Sequence, residues 1–224
     1  MDSETLKGIL LLAPVLLFSF TAHEFAHAWA ALSQGDPTAR DAGRLTLNPI
    51  KHIDLWWTII LPGMMLIASH GQSAFGGAKP CPVDPSRYRH PKWSDIIVSL
   101  AGVAMNLFIA FVSTAIVVGI GIFGRRAGLD SPTLDTVQRL FSAGASINVL
   151  LVVFNLLPVP PLDGSHVLKH FLPPKLAADY ERAGRYGIII LILLFNFTGS
   201  AMDWVFVPSY FVADQLSPFF LGAA

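Results

Sequence analysis

His23 and His27 stand four positions apart, and Glu24 follows the first of them, in the stretch Phe20-Thr21-Ala22-His23-Glu24-Phe25-Ala26-His27-Ala28-Trp29. On an α-helix, positions four apart lie one above the other on a single face. Both imidazoles can then hold one zinc ion while the neighbouring Glu24 carboxylate reaches a water on the metal. That is a metalloprotease arrangement. Residue frequencies alone produce an H-E-x-x-H in about one chain of this size in a hundred, so the spacing needs support from its setting. The setting is an almost wholly apolar helix, where ionisable groups are costly unless partnered, and there such a trio marks a functional site.

Catalytic zinc takes three protein ligands and keeps a fourth position for water, so two histidines leave one ligand to find. Cys81 is the single cysteine. It excludes an internal disulfide and a thiolate cluster, and it reads as an inert loop residue. The remaining candidates near apolar segments are Asp54, Asp95, Asp163, His166, His170 and Asp203. Asp163 is favoured, because Pro158, Pro160 and Pro161 stop the preceding helix and Gly164 lets the chain turn, exposing a carboxylate at a helix end.

The elements that position these groups belong to a membrane protein. The chain has 224 residues, 53% hydrophobic and 13% charged, with no formal net charge. This balance suits lipid, and the absence of basic clusters argues against nucleic acid as a partner. Apolar helices are predicted over residues 8–32, 96–123 and 137–157, with a shorter run over 53–69 and further apolar length over 187–197 and 204–221. The first is not a cleaved signal peptide, since its apolar character continues past the histidines. The Gly- and Pro-punctuated segment 71–93 favours short extended pieces. No repeat or linker interrupts the chain. The expectation is therefore one all-α polytopic membrane domain spanning 1–224, with about four to six membrane segments, a catalytic core at about 6–170 and C-terminal membrane segments at about 186–222.

For Asp163 to meet the histidines, the ends of the first and fourth apolar segments must lie on one side. The weak segment 53–69 is then re-entrant or interfacial, and not a crossing. This places Arg40, Arg44, Lys51, Lys79 and the basic residues of segments 87–92 and 169–185 on the side of the site, against Lys7, Arg125 and Arg126. By the positive-inside rule the site faces the cytoplasm and the N-terminus lies outside.

With these residues in place the chain resembles the site-2 protease family of intramembrane zinc metalloproteases. The resemblance rests on His23-Glu24-Phe25-Ala26-His27 together with the distant Asn155-Leu156-Leu157-Pro158 and Asp163-Gly164. It extends to Gly76-Gly77-Ala78, like the family's membrane-dipping β-hairpin, and to Ala101-Gly102-Val103-Ala104-Met105-Asn106, where the family usually has Ala-Gly-Pro. There is no PDZ-like insertion, so this resembles a compact member. The resemblance implies one Zn2+ per chain on His23, His27 and Asp163, Glu24 as general base, and Asn155 as a donor to the developing oxyanion. It also implies regulated cleavage of single-span membrane proteins, such as anti-sigma factors, in the cell membrane of a prokaryote.

Other residues carry bland readings beside functional ones. Asn106 bonds a substrate backbone or, equally, forms an interhelical amide. Gly76 and Gly77 flank an edge along which a locally unwound substrate strand can pair. Asp54 with His52 reads mainly as a helix start, and His166 and His170 as surface or supporting groups of a polar loop. The rival from another class is a non-proteolytic metal-binding membrane protein, either a transporter or a pseudoprotease that holds clients. A transporter would spread polar groups along a path and show repeat symmetry; here they concentrate at one depth, and no member of the catalytic set is missing.

Overall fold

Long uninterrupted apolar sequence without capping residues makes long helices, and the computed structural model bears this out. It describes residues 3–68, 76–129, 131–187, 189–191, 193 and 203–221. The helices are α1 (Ser3–Ser33), the single turn α2 (Thr38–Asp41), α3 (Leu61–Ala68), α4 (Pro91–Arg126), α5 (Pro132–Asn155), α6 (Asp163–Lys169), α7 (Pro174–Ala183) and α8 (Val207–Leu216). Among the described residues, three helical stretches are long and apolar enough to cross a membrane: Leu11–Ser33, Pro91–Arg126 and Pro132–Asn155. Of the four to six segments expected, three are found among the described residues. The run expected at 53–69 consists of π-helical turns over Leu55–Ile60 followed by α3, and this described helix is short of the ~30 Å of a hydrocarbon core. The predicted segment at 187–197 falls largely outside the described residues. The chain divides into two compact units, Met1–Ser94 and Asp95–Ala224.

In the first unit, α1 ends where Gly35 adopts φ 107°, a conformation that glycine enters without a Cβ clash. The fully buried Asp36 then ties the chain together. Its carboxylate accepts from the Thr38 amide (2.9 Å), the Thr38 hydroxyl and the Asp84 amide (2.6 Å). Ala28 of α1, Ala39 of α2, Leu45 and Cys81 pack as a small core, so the helix that carries the histidines is buttressed next to them.

The second unit is built with its polar groups inside. On α4, Val103, Asn106, Ala110, Ser113 and Val117 are buried, whereas Leu107, Phe108, Phe111 and Phe123 are exposed. Spacings of three and four put the first set on one face. A face of bare phenylalanines outside, with amides and hydroxyls inside, is the pattern expected when the solvent is lipid. Asn106 donates to Asn148 of α5 (2.8 Å), which donates to the Gly144 carbonyl (2.8 Å). The stretch 203–221 runs antiparallel to α5: Val205 and Phe206 pack with Leu157 and Phe154, while Leu216 and Phe219 pack with Val117, Ala145 and Phe141. Its end is clasped by the buried Gln138, which donates to the Phe219 carbonyl (2.9 Å) and accepts from the Leu221 amide (3.0 Å).

Candidate metal centre

The i, i+4 spacing on α1 does what the sequence requires of it. His23 is buried and His27 half-buried, and their Nε2 atoms converge to 2.9 Å with the rings at 85° to one another. Two nitrogens on one tetrahedral zinc lie about 3.3 Å apart at Zn–N distances near 2.05 Å. The pair therefore fits the ion after a small rotation of the rings. Two nitrogen donors without a thiolate are also the donor chemistry of a catalytic zinc site.

Glu24, one residue on, is held by a different element. Its Oε2 accepts from the Cys81 amide at 2.7 Å. Cys81 lies in residues 76–84, where the resemblance leads one to expect a β-hairpin. No strand is present among the described residues, and 71–75 lie outside them. The reason is the choice of partners. The chain here is laced to helix ends and side chains instead of a neighbouring strand. Gly77 donates to the Trp57 carbonyl (3.1 Å) and accepts from the Thr58 hydroxyl (2.7 Å). Lys79 donates to the His52 carbonyl (2.8 Å) and accepts from Arg44 Nη2 (2.7 Å). Residues 77, 79 and 81 thus bond on one side, as alternate residues of an extended chain must. Of the two predicted substrate-contacting glycines, Gly76 is required by packing, since a Cβ there would lie 2.4 Å from the Pro62 ring, whereas Gly77 has open space beside its Cα.

The Cys81 thiol is pushed up to about 12, by burial first and by the Glu24 carboxylate next, with Arg44 opposing. It is a neutral thiol at any physiological pH. The expectation of an inert Cys81 is correct for its sulfur and misses its backbone. The signal is present in the sequence: Pro80 and Pro82 lack N–H groups, so Cys81 holds the one amide donor of that tripeptide.

In the second unit, Asp163 opens α6 and is half-buried. Gly164 is not a turn residue, as expected from sequence, but a helical one. A Cβ there would lie 2.4 Å from the Leu156 carbonyl oxygen, so glycine lets α6 pack against the end of α5. Asn155, the last residue of α5, donates to the Leu151 carbonyl at 3.0 Å, which uses one of its two amide hydrogens. Asn106 is engaged with Asn148, the interhelical amide of the bland reading.

The region expected as a polar loop is helical. Its Lys169 and His170 converge on the buried Asp95 at 2.9 and 2.8 Å, with His166 at 4.0 Å. Asp95 and His170, both candidate ligands from sequence, are thereby committed to each other. Asp54 caps the Leu55–Ile60 turns, accepting from the Trp56 and Trp57 amides at 2.9 Å each. His52 is fully buried with Nε2 on the Thr46 carbonyl (2.9 Å), and Asp203 is exposed.

Comparison with known sequences places these observations. The profile of peptidase family M50 matches residues 11–134 and 120–195. A protein of Bacillus subtilis (strain 168), provisionally named zinc metalloprotease YwhC, is 40% identical over 181 residues, covering 80% of this chain and 77% of its own. Rip2 of Mycolicibacterium smegmatis, another provisionally named zinc metalloprotease, is 31% identical over 206 residues, covering 88% and 71%. Rip2 of Mycobacterium tuberculosis (strain H37Rv) is 28% identical over the same shares. No solved structure matches the chain significantly. With its family profile covering most of its length and its histidine pair converging on a membrane-length helix, the chain belongs to peptidase family M50, the site-2 protease family of metalloproteases.

Proposed function

We propose that this protein is an intramembrane zinc endopeptidase that hydrolyses peptide bonds in or near transmembrane helices of membrane-anchored proteins, its two units acting as one catalytic domain. The observation that carries the reading is the convergence of His23 and His27 Nε2 atoms beside a tethered Glu24, inside a helix apolar enough to cross a bilayer. Asp163 is the third ligand of one zinc ion per chain. The support is elimination: Asp54 caps a helix, Asp95 and His170 bind each other, His166 lies beside that pair, and Asp203 is exposed.

Bound there, zinc supplies Lewis acidity, which acidifies water and polarises a scissile carbonyl. Glu24 acts as general base. Its Oε2 is taken by the Cys81 amide, leaving Oε1 to accept the water's proton and later deliver it to the leaving amine. The second amide hydrogen of Asn155 is the donor assigned to the developing oxyanion. Substrate enters as an unwound strand along residues 76–80. Gly77 and Lys79 bond inward, while the N–H and C=O of Ala78 and the C=O of Pro80 make no hydrogen bond among the described residues, an open edge to which an extended peptide can add. Gly76 and Gly77 shape this segment rather than do chemistry, and Asn106 serves as an interhelical amide. The clients are single-span signalling proteins of the anti-sigma class in a prokaryotic cell membrane, cut from the cytoplasmic side.

The test is cleavage of a tagged single-span client in liposomes by the purified protein, before and after chelation and zinc re-addition. Cleavage that stops with the chelator and returns with zinc is expected. A zinc-loaded protein that cuts no client of a panel of single-span proteins, in liposomes of several compositions, contradicts the reading.

A further inference from the structure

Arg44 is the residue whose chemistry the proposed reaction leaves unused. The residue is 8% exposed, a position where a guanidinium is costly unless it is paired or does something in return. Among the described residues it has no carboxylate partner, and its buried Nε makes no hydrogen bond. Its backbone amide donates to the Ala39 carbonyl and its carbonyl accepts from the Thr46 amide, while its side-chain hydrogen bond goes to one short segment. Nη2 donates to the Lys79 carbonyl at 2.7 Å, and its own carbonyl lies 3.7 Å from the Cys81 Sγ. Cys81 in turn donates its amide to Glu24 Oε2 at 2.7 Å. The Pro80 ring fixes its φ, so only one rotatable backbone bond separates the held Lys79 carbonyl from the Cys81 N–H, and Pro82 restricts Cys81 in turn.

We propose that Arg44 is a positioning residue for Glu24: by holding the Lys79 carbonyl it aims the Cys81 amide at one carboxylate oxygen and so sets which oxygen faces the reacting water. The inference rests on Glu24 being the general base. A second anchor, the Lys79 amide on the His52 carbonyl at 2.8 Å, acts on the same residue from its backbone nitrogen. The segment is therefore held at both groups of Lys79, and Arg44 is the hold a side-chain substitution can remove. Among the described residues no hydrogen bond joins Arg44 to His23 or His27, so the ion is expected to stay when Arg44 is changed. A carboxylate freed from its tether samples several rotamers, and such loss of orientation lowers the rate of the chemical step more than the affinity for substrate.

The test compares Arg44→Met and Arg44→Lys with the wild type in three readouts: kcat and KM on a single-span client, zinc per chain, and the rate at which N-ethylmaleimide alkylates Cys81, the single cysteine. Arg44→Met is expected to lower kcat by about 10- to 100-fold with KM within about twofold. It keeps full zinc and speeds Cys81 alkylation, because the segment has lost its clamp. Arg44→Lys, which still donates to the Lys79 carbonyl, recovers most of kcat and most of the protection. If Arg44→Met does not purify as a folded protein, Arg44→Gln takes its place. Unchanged kcat, loss of zinc, a change confined to KM, or a lysine variant no better than the methionine one overturns the proposal. Failure of the underlying reading looks different: Glu24→Gln would then cut at the wild-type rate, whatever the alkylation assay says of Arg44.

Discussion

Cys81 combines two opposite properties that its residue type alone does not reveal. Its amide is committed to the Glu24 carboxylate at 2.7 Å, while its thiol is buried and pushed up to about 12. The sign of that shift keeps the neutral form dominant throughout the accessible pH range. At pH 8 the thiolate fraction is about 10⁻⁴, against roughly a quarter for an unperturbed cysteine. Alkylation of the folded protein at pH 8 should therefore be about 10³-fold slower than in unfolding detergent, as read by mass spectrometry; equal rates contradict the burial.

Asn106 is tested at the same scale. Its bond to Asn148 predicts that Asn106→Ala and Asn148→Ala each cost about 0.6 kcal/mol, at most ~1.7 kcal/mol. The double variant should be no worse than either single one in a detergent melt. A KM effect for Asn106→Ala alone would return this residue to substrate binding. For both residues the sequence leaves the role open, because what decides it is a partner 42 and 57 positions away.

At the scale of elements, the three membrane-length helices are legible because length and hydropathy determine them locally. So is the end of α1, since Gly35 and Pro37 each punctuate a helix. The segment 76–84 is not. Its glycines and prolines announce an extended chain, but nothing local says whether such a chain pairs with a strand or with helix ends, and here Trp57, His52, Arg44 and Glu24 take the bonds. Residues 163–185 read as a polar loop because short helices with Lys169, Lys175 and Arg182 present no continuous apolar run. What holds α6 is instead the Asp95 carboxylate, paired with Lys169 at 2.9 Å and hydrogen-bonded to His170 at 2.8 Å, the Asp95 side chain only 8% exposed.

Removing one partner of a buried pair costs about 3–5 kcal/mol. The Lys169 side chain, 19% exposed, keeps some solvation, so Asp95→Ala should fall at or below the lower end of that range. Asp95→Ala combined with Lys169→Met should recover part of the loss. Additive losses in the double variant would show that the pair is not coupled.

At the scale of the whole molecule, the positive-inside reading becomes a labelling experiment, because the native cysteine is silent. Cysteines introduced at Ala127, after the arginine-ended α4, and at Lys175, on α7, should differ in intact cells. An impermeant maleimide is expected to label Ala127→Cys directly and Lys175→Cys only after permeabilisation. The reverse pattern would invert the orientation and move the site away from the cytoplasm. The histidine pair and the glutamate are readable from five residues, because a helix converts i, i+4 into proximity, whereas the family needs the distant second motif as well. Asp163 requires a second landmark far along the chain, and its role as a ligand is where the proposed chemistry is most exposed to test.

The deciding measurement is zinc per chain, with client cleavage read in parallel, for the wild type, Glu24→Gln and Asp163→Ala in the same detergent. The proposed chemistry predicts one zinc and cleavage for the wild type. It predicts one zinc with turnover lower by about 10²- to 10⁴-fold for Glu24→Gln, and loss of both for Asp163→Ala. Full zinc retained in Asp163→Ala, or undiminished cleavage by Glu24→Gln, would contradict it.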